Sequence, residues 1–261
     1  MNYIRKHEWL QSVLWTVAFL LVWQLVTTLN LANRYLLPPF SKVCEELYHQ
    51  VISGNLPDQI ANSMKMIIWG FSASVLIGLV LVFLCSYSKV INSMIRTLCI
   101  IFTPLPGVAI LPIIIMVFGI QETSMVVLMV HSVLWPLVIN VLGGIKAIPR
   151  QYKEFGKNLE LNPVKTVTSI HVFSIMPSIV SGLRIGWGRA WRALISAEMV
   201  FGMIGTLGGI GYFIYTNRAY GNMTRVMVGV LVVIILGVFF DVAVFNTIER
   251  LTVRKWGMQN E

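Results

Sequence analysis

From Leu10 to Leu29 the chain runs for a helix length without a single charged residue. A bilayer core about 30 Å thick is crossed by roughly 20 apolar residues in an α-helix, so this run is long enough to span. Predominantly apolar runs of helix length recur at about 66–86, 100–119, 124–142, 178–201 and 226–246. Of the 261 residues 56% are hydrophobic and only 12% charged, which places the chain among integral membrane proteins. The expected architecture is all-α: one polytopic domain over residues 1–261 with six transmembrane helices, the first retained rather than cleaved. Its apolar run is longer than a signal-peptide core, and no small-residue cleavage site follows it.

The net charge of +9 would suggest nucleic acid in a soluble chain. Here the Lys and Arg residues fall between and after the apolar runs, where they orient the chain in the membrane. Twelve of the 20 lie in the amino end, the turn after the second run, the polar stretch after the fourth, and the tail. Five lie on the other side, and three, Arg184, Arg189 and Arg192, lie inside the fifth run. This bias puts both termini in the cytoplasm. Between the first two runs, Leu37-Pro38-Pro39-Phe40-Ser41 reads as a stop and a helix start, followed by an external amphipathic helix over Lys42–Ile52.

Two runs depart from what lipid tolerates. Pro104, Pro106 and Pro112 interrupt the third, and each removes a backbone donor; such breaks persist at membrane depth where protein or a water-filled cavity covers the freed groups. The fifth carries Arg184, Arg189, Arg192 and Glu198, and ionisable groups there face the protein interior or an aqueous path. A helical wheel groups Arg184, Trp191, Arg192, Ile195 and Glu198 on one face and sets Arg189 apart. Arg192, Glu198, Trp191, Pro106 and Pro112 are therefore the candidate lining of a translocation path, with Arg192 near the middle of the fifth run and favouring an anion. Arg184 and Asp241 fall at similar depth in the fifth and sixth runs and are expected to pair. Gly182, Gly186 and Gly188 would admit a neighbouring backbone.

Nothing in the chain is arranged for bond-making chemistry. Cys44, Cys85 and Cys99 are scattered, without metal or disulfide spacing. His7, His49, His131 and His171 form no cluster with carboxylates and read as packing residues, and GTLGGIGY (205–212) lacks the G-K-[ST] of a phosphate loop. Neither an enzyme nor a bound cofactor is expected.

The polar stretch Gln151–Pro177 resembles the cytoplasmic coupling loop of ATP-binding-cassette importer permeases, E-A-A-x-x-x-G followed by I-x-L-P. Glu154 matches its Glu, and Ile170 and Val172 its Ile and Leu, while Phe155, Gly156, Glu160 and Phe173 replace its Ala, Ala, Gly and Pro. Together with Leu37-Pro38-Pro39, Pro104 to Pro112 closing on Phe118–Ser124, and Gly182-Leu183-Arg184 through Trp191 to Glu198, it makes the chain similar to the inner-membrane permeases of nitrate, sulfonate and taurine-type importers.

The resemblance implies a type I (MetI-like) permease fold and a homodimer. It also implies two cytoplasmic ATPase subunits carrying ATP and magnesium, an external solute-binding protein, and a small, usually anionic solute. On it, a coupling loop at about 146–177 holds a short helix, with Tyr152, Glu154, Lys157 and Glu160 facing the ATPase. An ion- or proton-coupled secondary transporter would also carry charged spans, but no similarity between halves supports it.

Overall fold

A computed structural model describes residues 2–149, 151, 172–202 and 208–255, and every element in it is helical. The helices are α1 (Asn2–Thr28), α2 (Phe40–Ile52), α3 (Leu56–Tyr87), α4 (Lys89–Phe102), α5 (Gly107–Phe118), α6 (Glu122–Ala147), α7 (Val172–Phe201), α8 (Ile210–Ala219) and α9 (Met223–Phe239). After α9 the chain continues through a π-helical turn (Phe240–Phe245), an α-turn (Asn246–Glu249) and a second π-turn (Arg250–Arg254). The coupling residues Tyr152, Glu154, Lys157 and Glu160, and most of the loop at 146–177, lie outside the described residues.

Among the described residues, four helices are long and apolar enough to cross a membrane: α1 from Leu10, α3, α6 and the continuous Met223–Arg254. A fifth crossing arises if α4 and α5, bent by 105° at their junction, count as one span. At 30 residues α7 has the length, and its three arginines and Glu198 keep it from matching that apolar description. Several bounds differ from the sequence reading. α3 begins ten residues before 66 because Pro57 sits at its first turn, where a missing N–H costs nothing. α7 begins before Pro177 and carries that proline inside. Within the glycine-rich segment 202–225 the described residues include α8.

The centre is α6, whose Met125, Leu128, Met129, Val133, Leu137 and Val138 are buried. α3 and α7 pack along it. On α7 a Cβ at Gly186 would meet Val133 Cγ1 at 3.0 Å, and one at Gly182 would meet Leu137 Cδ1 at 3.1 Å, so the two helices are as close as small residues allow. Gly188 faces elsewhere, with only Arg192 Nη1 nearby at 3.8 Å. α1 stands at the periphery with Trp15 and Phe19 exposed, as a lipid-facing helix does, and is tied to α2 by Trp23 Nε1 donating to the Pro38 carbonyl at 3.1 Å.

Candidate functional site: a polar cavity at the broken span

α4 ends at Phe102 because Pro104 and Pro106 cannot donate to the helical ladder. The chain turns through Thr103–Pro106 and restarts as α5 at Gly107. α5 can start there only because residue 107 lacks a side chain, since a Cβ would stand 2.5 Å from Ser132 Oγ of α6. The bend opens a cavity of about 380 Å³ between the break, α6 and α7. Pro106, Thr103, His131, Ser132, Arg189 and Arg192 are among its lining, and no carboxylate is.

The arginines reach it from one face of α7. Arg189 Nη1 donates to the Thr103 carbonyl at 3.2 Å, which fixes one guanidinium at the rim. Arg192 is exposed and makes no hydrogen bond or ion pair among the described residues. The wheel reading that separated Arg189 from Arg192 is corrected here. At 100° per residue, positions three apart differ by about 60° and share a face, whereas Arg192 and Glu198 differ by about 120°.

Of the other candidates for the path, Pro106 lines the cavity, whereas Pro112 lies inside α5 on an exposed surface. Trp191 is buried in the main core with Leu194 and Ala197. Glu198, 3% exposed, is held on both oxygens: Ser63 Oγ donates to Oε1 at 2.7 Å and the Gly211 amide donates to Oε2 at 2.8 Å. Ser63 in turn accepts from the Ile210 amide at 2.9 Å. Glu198 and Ser63 thus cap the start of α8, where orphan amides favour an acceptor. Gly209 and Gly211 permit the approach, because a Cβ at either would collide with the Glu198 side chain. Of the GTLGGIGY glycines, Gly209 and Gly211 serve this clasp.

Two cavity residues were passed over in the sequence. Thr103 was not singled out, and His131 read as a packing residue. His131 does pack, edge-on to Phe102 with centroids 5.8 Å apart, but its two ring nitrogens and the Thr103 hydroxyl oxygen are buried without a hydrogen-bond partner. The hint in the sequence was their polarity within apolar runs.

Between α7 and the π-turn that follows α9, the Arg184–Asp241 pairing expected from equal depth is present, on a partly exposed surface. Arg184 Nε donates to Asp241 Oδ1 at 2.6 Å and Nη2 to Oδ2 at 2.8 Å. Asn246 accepts from Nη2 at 3.1 Å, and Glu249 accepts from Nη1 at 3.4 Å. No cluster of His, Cys, Asp or Glu among the described residues could hold a metal ion.

The fold and cavity describe a polytopic α-helical membrane protein with a polar chamber at a broken span, an arrangement suited to passing a solute rather than transforming one. Residues 54–253 match the profile of the binding-protein-dependent transport system inner membrane component family, and the chain belongs to that family of transport permeases. It is 26% identical over 243 residues to the taurine transport system permease protein TauC of Escherichia coli (strain K12), covering 91% of this chain and 87% of that one. It is 26% identical over 250 residues to the nitrate import permease protein NrtB of Synechocystis sp., covering 92% and 88%. With the putative aliphatic sulfonates transport permease protein SsuC of Bacillus subtilis (strain 168) it shares 24% over 237 residues, covering 91% and 84%. These relatives are transport permease subunits, not enzymes.

Proposed function

We propose that this chain is the translocating subunit of an ATP-binding-cassette importer for a small anion. In this reading six spans form a type I permease, with α4–α5 as the third and α7 as the fifth, and both termini are cytoplasmic. Two copies pair. Two ATPase subunits dock on the cytoplasmic loops and carry the ATP and magnesium, and a solute-binding protein delivers cargo from outside. This chain binds no cofactor of its own, and it moves the solute by rigid-body motion of its spans.

The observation that carries the anionic reading is the cavity at the proline break, lined by Arg189 and Arg192 with no carboxylate. Uncompensated cations at membrane depth are costly, and a passing anion offsets that cost. The names of the relatives, which cover sulfonate, taurine and nitrate permeases, support the same class.

The test is uptake in proteoliposomes containing the permease, its ATPase and the binding protein. ATP-dependent uptake of an anion is expected, and Arg192→Gln is expected to cut it at least tenfold. Because Arg192 has no partner to lose among the described residues, the melting temperature should not fall with it. Full uptake by a stable Arg192→Gln complex, or uptake without ATP, would overturn the reading.

A further inference from the structure

We infer that the cavity is a selective oxyanion site, in which the Thr103 hydroxyl and the His131 ring read acceptor oxygens while Arg189 and Arg192 supply charge. The inference rests on the anion pathway proposed above and goes beyond it by assigning the recognition atoms and the class of ligand.

The first observation is the set of buried polar atoms. Thr103 Oγ1 and both His131 ring nitrogens have no hydrogen-bond partner, a costly state that native proteins keep where something else completes the bonds. All three belong to residues lining one cavity. The T-shaped contact with Phe102 fixes the plane of the imidazole without satisfying either nitrogen, so the ring is oriented and unspent. The second observation is charge. Arg192 is unpaired among the described residues, and Arg189 spends one Nη1 contact on the Thr103 carbonyl, keeping other donors on its fork. The third is the start of α5, a helix of 12 residues, whose first residues Gly107 and Val108 line the cavity; a helix start favours an acceptor.

These donors are spread around a chamber of about 380 Å³, inside the range of small-molecule sites. A halide is a single spherical acceptor that imposes no direction on its donors, so it gains little from a hydroxyl at the break, an imidazole on α6 and two guanidiniums on α7 spread around the chamber. A nitrate, carboxylate or sulfonate presents two or three oxygens in fixed directions, which suits the planar guanidinium fork and leaves an oxygen for Thr103 and His131. The arrangement therefore discriminates by oxygen number and not by charge alone.

The experiment uses the full chain purified in lipid nanodiscs, with its melting temperature followed against sodium nitrate, sodium ethanesulfonate and sodium chloride at equal ionic strength. At least one oxyanion is expected to raise the melting temperature above the chloride curve. Thr103→Val should raise its half-saturating concentration about tenfold, and Thr103→Ser should restore it. The anion-free melting temperature of Thr103→Val should be unchanged or higher, since the change replaces an unpaired buried hydroxyl with an apolar group of the same shape. Arg192→Gln, on an exposed side chain, should abolish the oxyanion effect and serves as the deciding arm should Thr103→Val fold poorly.

Equal curves for chloride and both oxyanions, or an undiminished oxyanion effect in Thr103→Val or in Arg192→Gln, would overturn the site. Uptake separates this from the importer reading. Oxyanion-specific shifts without ATP-dependent uptake would keep the site and reject the importer, whereas uptake with variant-insensitive affinities would do the reverse.

Discussion

Glu46 on α2 accepts from Arg225 Nε at 2.7 Å and from Gln50 Nε2 at 2.8 Å, tying α2 to the start of α9. Partial burial works against its charged form, but the hydrogen bonds from Gln50 and Arg225 outweigh it, so the carboxyl sits below its ordinary value of 4.5. A depressed carboxyl stabilises the folded state above that ordinary value and loses the contribution as pH falls through the folded one. Melting temperature should therefore drop on acidification below the ordinary value by more in the native chain than in Glu46→Gln. At neutral pH the two should differ by about 0.2–1 kcal/mol, the scale of a half-exposed pair. How far single residues were legible depended on what located them. Arg184 and Asp241 could be paired from sequence because each sits a countable distance from a landmark, Pro177 and Arg250. Ser63 and Glu198, 135 residues apart, share no such ruler, and only tertiary packing brings them together.

Between elements, the α6–α7 contact shows which glycines matter. Gly182 and Gly186 abut Leu137 and Val133, so Gly186→Leu should cost about 1–3 kcal/mol by overpacking, while Gly188→Leu, with open space beside it, should cost less. Thermal unfolding of the two variants in one detergent checks the order. Four of the hydrophobic runs were legible as membrane-length helices because length and apolarity alone define them. The π-turn at Phe240–Phe245 was not. Asp241 and Asn246 are five apart, which on an α-helix puts them about 140° from each other; π geometry, with its i→i+5 repeat, lets both reach Arg184. Helical wheels assume one period, and here the period changes where the charges meet.

For the whole molecule, the proposed coupling rests on the polar stretch around Glu154 and on the distribution of Lys and Arg. Glu154→Lys is expected to lower ATP hydrolysis by the assembled complex several-fold while the purified permease keeps its melting temperature; unchanged hydrolysis together with intact pull-down of the ATPase would remove Glu154 from that interface. Overall class was legible because composition sets it, whereas the cavity needed three separate helices to be placed. The Glu198 clasp bears on cellular energetics. With both carboxyl oxygens engaged by Ser63 and Gly211, the one acidic side chain of α7 is unavailable to neutralise Arg189 and Arg192. On the proposed path, protons, sodium and potassium entering the chamber would meet two like charges, and the membrane potential, worth about 2.3 kcal/mol per elementary charge per 100 mV, would not be drained by a cation leak at each turnover.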